Sequence, residues 1–236
     1  MGTPGTARAR ARAEITAAVK EAARAQLAQV GAPALSVRAV ARELGMASSA
    51  VYRYFASRDE LLTALIVDAY DAVGAAAEDG ARAGGDDPGG RWLAACRAVR
   101  IWAVDHPHEF SLLYGSPVPG YRAPADTIGP AARVPLVLAA AVADAARLGL
   151  LHPPTGALGL GSGPRLVTPE VLEAVGIPAG DDRLVERALG MWVALIGTIS
   201  FELFGHFENV VSDRAGYFEL AMAGAAGAVG LEIPVP

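Results

Sequence analysis

Seven of the side chains from Arg38 to Arg58 are candidates to grip an acidic polymer: Arg38, Ser48, Ser49, Tyr52, Arg53, Tyr54 and Arg58. Guanidinium, phenol and hydroxyl groups all donate hydrogen bonds, and phosphate oxygens and base edges accept them. Other groups look reactive but resolve poorly into chemistry. Asp105-His106-Pro107-His108-Glu109 has metal-ligand residue types. Two histidines two residues apart do not share a helix face, however, and His-Pro at a helix junction accounts for them equally well. Gly156, Gly159, Gly161 and Gly163 lack the Gly-Lys-Ser/Thr ending of a phosphate loop. No Ser/His/Asp set sits in a nucleophile-elbow context. No catalytic residue, metal site or cofactor is therefore expected. Cys96 is the one cysteine, so no internal disulfide can form, and its apolar helical surroundings suggest a buried, inert thiol.

Positioning the seven donors requires short helices at a fixed angle. Ser36 is a good N-cap for a helix through Leu44. Ala41 is small enough for a helix crossing, Gly45 four residues on tolerates the left-handed turn, and Val51 six further on locks a second helix running from about Ala47 to Phe55. Val40, Leu44 and Phe55 complete a small core. This spacing is that of a helix-turn-helix. A preceding helix spans about Arg12 to Val30, with Ile15, Val19, Ala22, Ala23, Leu27 and Val30 on one face. Gly31 and Pro33 stop it. Residues 1–10 read as a disordered basic arm. Ser57 caps a long helix from Arg58 to about Glu78.

Further helices are expected over about Arg91–Val104, Glu109–Tyr114, Val134–Leu148, Arg183–Phe207 and Ser212–Val229, with a short one near Pro169–Val175. Ser116 to Pro130 reads as a Pro/Gly-rich loop, and His152 to Asp182 as largely irregular. No stretch alternates with period two, so the chain reads as all-α. It divides into an N-terminal three-helix helix-turn-helix domain, residues 1–57, and a larger helical sensing and dimerisation domain, residues 58–236.

The 236 residues are 53% hydrophobic and 19% charged, enough to bury a sizeable core. The net charge of −5 is unevenly distributed. Residues 1–60 hold nine Lys/Arg against five Asp/Glu, and the remainder eleven against twenty. A basic head on an acidic body can bind phosphate locally. An Arg-rich start without an apolar stretch argues against a secretory signal. The apolar run Ala188–Phe201 is too short to span a bilayer. A cytoplasmic protein without a membrane partner is expected.

The stretch Gly45-Met-Ala-Ser-Ser-Ala-Val-Tyr-Arg-Tyr-Phe-Ala-Ser-Arg-Asp-Glu-Leu-Leu62 closely resembles the TetR family of bacterial regulators. That pattern runs Tyr, a basic or polar residue, His, Phe, then Ser, Lys and Glu-Leu-Leu. Here Tyr54 replaces the His and Arg58 the Lys; both can still donate to phosphate. Trp102 through Tyr121, Trp192 with Ile196-Gly197, and Ser200 to His206 resemble the family's WHG subgroup, whose named His falls at Ile196 here. The resemblance implies a DNA-binding transcriptional regulator, a repressor in most such cases.

Its reader helix would lie in the major groove. Ser48 and Ser49 would face bases, directly or through water, and Arg38 a base edge or phosphate. Tyr52, Tyr54 and Arg58 would clamp phosphates at the start of the long helix, and Arg53 either partner. For Tyr52 a packed core aromatic, and for Arg38 and Arg53 a solvated surface arginine, are the competing explanations.

The helix from Arg183 is apolar on two sides, Leu184/Ala188/Trp192/Leu195/Ile199/Leu203 and Val185/Leu189/Val193/Ile196. One layer cannot hide both, and the final helix offers Phe218, Met222 and Ala225, with Gly224, Ala226 and Gly227 permitting close approach. A homodimer through the last two helices is therefore expected, on a palindromic double-stranded operator. Trp102, Phe110, Tyr114, Trp192 and Phe201 are candidates to line a pocket for a small hydrophobic effector, or they simply fill core. Glu202 interrupts an apolar helix. It would anchor a ligand's polar group, pair with an arginine, or face water. The rival readings are a regulator without an effector, a small-molecule enzyme, and a helix-turn-helix used for protein contact.

Overall fold

The computed structural model describes residues 4–153, 166–175 and 183–233, and among them every regular element is helical. The helices are α1 (Pro4–Val30), α2 (Val37–Glu43), α3 (Ser48–Val51), α4 (Arg58–Ala83), α5 (Pro88–Asp105), α6 (Pro107–Tyr114), α7 (Ile128–Arg147), α8 (Pro169–Val175), α9 (Leu184–Leu203) and α10 (Arg214–Gly227). The four glycines 156, 159, 161 and 163 lie outside the described residues. The chain forms two compact units: Met1–Tyr70 with His108–Ile128, and Asp71–Pro107 with Gly129–Pro236.

The first unit is built on one apolar cluster. Val19, Ala22, Ala23 and Leu27 of α1 meet Val37, Val40 and Ala41 of α2, Val51 of α3, Phe55, and Leu61, Leu62, Leu65 and Ile66 of α4. Leu112, Leu113, Val118 and Tyr121 cover one side of it, and the Tyr121 hydroxyl lies 2.9 Å from Thr63 Oγ1. Lys20 and Arg24 of α1 both reach Asp68 of α4, at 2.7 and 2.9 Å. Residues 4–10 of the expected basic arm are helical instead. From Pro4, where the described residues start, α1 is continuous, because Ala and Arg are strong helix formers. Val30, expected on the buried face, is exposed in the last turn.

The second unit centres on α5, whose Trp92, Leu93, Cys96, Val99 and Ala103 are buried. α9 and α10 pack on each other and on α5. Arg97 grips Glu219 with bonds of 2.7 and 2.8 Å, and Arg91 reaches Asp144 at 2.6 Å. Arg133 of α7 holds Glu78 and Asp71. Burial pushes the Asp144 carboxyl up, but hydrogen bonds from Arg91 and Arg147 outweigh it and hold the group below its ordinary range. Glu78 is likewise lowered by its bond to Arg133. A methyl group on Gly80 would lie 2.6 Å from Ala98 Cβ and 2.7 Å from the Ala94 carbonyl oxygen. α4 and α5 therefore touch through backbone at this point.

α7 starts six residues before the expected Val134 and runs through Pro135. Pro130 falls in its first turn, where a missing N–H leaves no bond unmade. Two segments, Ala125–Arg147 and Leu184–Leu203, are long and apolar enough to cross a membrane by length and composition, which corrects the count based on Ala188–Phe201 alone. The latter packs on α5 and α10, and the former from Gly129 on lies in the same unit, with Val134, Leu138, Ala141 and Val142 buried.

Candidate nucleic-acid interface

Ser36 opens α2 in extended conformation. Its hydroxyl accepts from the Ala39 N–H, and its own N–H donates to Gln26 Oε1 at 2.6 Å. α2 ends in a tight turn. The Gly45 N–H donates to Arg42 O, and the Met46 N–H to Ala41 O at 2.8 Å. Gly45 has φ 64°, the left-handed region that a side chain disfavours. The second helix of the motif then starts at Ser48. Its regular part is only four residues, and single turns carry the chain on, Tyr54 N–H to Val51 O and Phe55 N–H to Val51 O. The expected helix to Phe55 is thus one regular turn followed by a looser one.

Val51 and Phe55 point inward, at 0% and 5% exposure. The donors surround them on the outside. Arg38, Ser49, Tyr52 and Arg53 are exposed, and Ser48 is half-buried at the head of α3. Tyr54 is half-buried against the core, with the Arg12 guanidinium 5.1 Å from its ring centre. Arg12 also donates to the Arg53 carbonyl at 3.4 Å.

Arg58 sits differently from the rest. Its Nε donates to Leu35 O at 3.0 Å, and its Nη2 to Ala32 O and Pro33 O at 2.9 and 3.1 Å. Nη1 meets Asp59 at 3.3 Å. Four of its five N–H bonds are directed inside the protein. Arg58 thus ties the head of α4 to the turn before α2. A reciprocal cap completes that head: the Ser57 hydroxyl accepts from the Glu60 N–H, and Glu60 reaches back to the Ala56 N–H.

The six candidate effector residues are not gathered around either of the two cavities described. One cavity, about 390 Å³, is lined by Asp87, Gly89, Leu150, His152, Leu231 and neighbouring residues; the other runs along α1. Trp102 is buried and stacks on His106 at 5.2 Å, while His106 Nδ1 faces the Trp102 carbonyl. That contact explains one histidine of the Asp105–Glu109 group. Among the described residues no cluster of His, Cys, Asp and Glu could hold a metal. Phe110 is fully buried, 5.0 Å from Tyr114. The Tyr114 hydroxyl is buried without a hydrogen-bond partner among the described residues, and burial, then Tyr70, pushes its pKa up. The Trp192 indole N–H is also buried and unpartnered among the described residues. Phe201 is 52% exposed. Glu202 pairs with an arginine: Arg100 Nε and Nη2 reach its two oxygens at 2.8 and 2.6 Å. Burial raises the Cys96 thiol pKa well above its ordinary value.

A small helical unit carrying an exposed, donor-rich helix-turn-helix, joined in one chain to a larger helical unit, defines a helix-turn-helix regulator. Residues 20–65 match the family of bacterial regulatory proteins called tetR, and residues 92–225 match the tetracyclin repressor-like C-terminal domain. The latter range takes in all three stretches on which the C-terminal resemblance rests. The HTH-type transcriptional regulator Rv1816 of Mycobacterium tuberculosis is 44% identical over 220 residues, 89% of each chain. A crystal structure described as that of a regulatory protein, SCO4313, covers 95% of this chain and 100% of its own at 35% identity, with a TM-score of 0.73. The TetR family regulator PfmR of Thermus thermophilus shares the fold at 20% identity, with a TM-score of 0.57, over 91% of this chain and 98% of its own. The chain belongs to the TetR family. It is a transcriptional regulator with a DNA-binding domain, and its relatives are regulators rather than enzymes.

Proposed function

We propose that this chain is a cytoplasmic repressor that binds a palindromic operator as a homodimer and lets go when a small, mostly apolar effector binds. Residues 1–57 are the reader, and residues 58–236 sense the effector and dimerise. The observation that carries the DNA reading is the sidedness of the motif. Val51 and Phe55 are buried, whereas Arg38 of α2, Ser49 of α3, and Tyr52 and Arg53 in the turn after it stand exposed. Such a surface presents hydroxyls to base edges and cations to phosphates. Ser48 reads beside Ser49. Tyr54 supports the phosphate clamp from the core side, and Arg58 serves it by holding the head of α4 in place.

Dimerisation is supported by apolar surface on two neighbouring helices. Leu189, Val193, Phe201 and Phe204 are exposed along α9 and its end, and Tyr217 and Leu220 along α10, whereas Phe218 and Met222, expected at the dimer seam, are buried within the subunit. Space above Gly197 and Gly224 is open, so a second backbone could approach closely. A two-fold dimer would set its readers on half-sites about 34–36 Å apart, or a multiple of that. An effector is supported by two buried polar atoms without partners among the described residues, the Tyr114 hydroxyl in one unit and the Trp192 N–H in the other.

The test is a gel shift of the full chain on its own upstream region against random DNA at physiological salt. Tight, sequence-dependent binding is expected, and equal affinity for both DNAs would overturn the operator reading. Apolar compounds that raise the melting temperature are then added to the complex. If every such compound stabilises the protein and none changes operator affinity, the effector-release reading fails while DNA binding stands.

A further inference from the structure

Three arginines, Arg8, Arg10 and Arg12, lie on the amino-terminal turns of α1. All three are exposed, and among the described residues none is paired with a carboxylate. They contribute nothing visible to the core of the first unit, which begins on this helix at Val19 with Ile15 packed against it.

They are not equivalent. At 3.6 residues per turn, Arg8 and Arg12 fall on one face and Arg10 on nearly the opposite one, beside Glu14. The shared face is the one turned toward the reader, because Arg12 lies over the Tyr54 ring and donates to the Arg53 carbonyl. Arg8 stands one turn beyond, about 6 Å further along the helix axis. Thr16, one turn the other way, bonds back to the Arg12 carbonyl and belongs to the same row.

We infer that the duplex contact of this chain extends past the helix-turn-helix onto α1, with Arg8 binding a backbone phosphate and Arg12 acting as the positioning residue that docks this end of the helix beside Tyr54. The inference rests on the DNA-binding reading above. Its chemistry is that of an uncompensated guanidinium next to a phosphate-facing surface, where charge-assisted and bidentate bonds to phosphate are available. The partner is the sugar–phosphate backbone rather than a base, so the contact adds affinity at any sequence and deepens the salt dependence. A helix, unlike a flexible arm, delivers the cation without ordering a loose segment on binding.

The test uses the full chain and an operator selected from random sequence, with affinity followed by fluorescence anisotropy across a salt series. Arg8→Ala should reduce the slope of log K against log salt by about 0.9 for each bound protomer. Arg8→Lys should keep the slope. Arg10→Ala removes the same charge from the other face and should leave it unchanged. Arg12→Ala should lower the slope as much as Arg8→Ala does, and the double variant no further. Equal slopes for wild type and Arg8→Ala, or equal losses for Arg8→Ala and Arg10→Ala, would overturn the inference while leaving operator binding intact. A double variant that loses twice the slope would overturn the positioning role of Arg12. A wild-type chain without sequence-dependent binding removes the parent reading and this one together.

Discussion

Replacing Glu202 by glutamine should weaken the second unit more than any exposed substitution would. The Glu202 side chain is 9% exposed and that of Arg100 20%, and two bonds of 2.8 and 2.6 Å join them. Removing one partner of a buried ion pair costs about 3–5 kcal/mol, because the other charge stays behind. Two features reduce that here. Glutamine keeps one oxygen for one guanidinium N–H, and the Arg100 guanidinium lies 5.3 Å from the centre of the Phe218 ring, which partly compensates its charge. We expect a loss of about 2–3 kcal/mol. For a chain of this size that is a fall in melting temperature of roughly 5–10 °C, measured calorimetrically at fixed protein concentration. The double variant Arg100→Met/Glu202→Leu removes both charges and should lie within about 1 kcal/mol of the parent. A Glu202→Gln protein melting within about 1 °C of wild type, well under 1 kcal/mol, would refute the reasoning. So would a double variant less stable than either Arg100→Met or Glu202→Leu alone.

Gly45→Ala meets no atom within 4 Å but forces a side chain into φ 64°, so a destabilisation of about 1–2 kcal/mol is expected in denaturant titration. Val193→Asp with Leu220→Glu should shift the chain to monomer in sedimentation while helix content by circular dichroism is retained. Arg58→Ala should lower stability by about 1–3 kcal/mol through the stranded carbonyls and barely move the salt slope of DNA binding. Arg53→Ala, by contrast, should reduce that slope by up to about one unit per protomer. Glu78 and Asp144 sit below their ordinary values of 4.5 and 3.8, so the unfolded chain takes up protons first as pH falls. Their contribution is complete above those values and disappears as pH drops through the lower folded values. Glu78→Gln should flatten the acid limb of a stability-against-pH curve.

The helix-turn-helix was legible because three constraints share one geometry: Ala41 at the crossing, Gly45 at the turn and Val51 in the second helix are visible as types and spacings. The helices after it were legible by period, their ends less so. Pro130 reads as a breaker in one dimension, yet in a first turn it interrupts no bond. The N-terminal helix was read short because the core face starts only at Ile15, and residues before it are helical by propensity rather than by packing. Arg58 shows a different limit. Its type and place suggest phosphate, but the carbonyls of Ala32, Pro33 and Leu35 that take its donors come from a turn 23 to 26 residues upstream. Glu202 is the converse case: a partner was foreseen among several, but Arg100 is 102 residues away, and nothing local points to it. Arg12 and Gln26 were missed altogether, since their partners, the Arg53 carbonyl and the Ser36 N–H, are backbone atoms that carry no residue signature.

The separation between Val51 and Phe55 inside and Arg38, Ser49, Tyr52 and Arg53 outside has a consequence for how such a protein diverges. Surface substitutions away from caps and buried partners usually change stability by within about 0.5 kcal/mol. The outer residues can therefore be exchanged almost freely in stability terms while the inner ones hold the scaffold constant. On the proposed DNA reading, exchanges at Arg38 or Ser49 would shift the target sequence, and exchanges at Tyr52 or Arg53 the affinity, without passing through an unfolded intermediate. On that reading, the same partition makes this chain a tractable starting point for retargeting in the laboratory, with a library confined to the exposed base-facing positions Arg38 and Ser49 while Tyr52 and Arg53 are kept for phosphate.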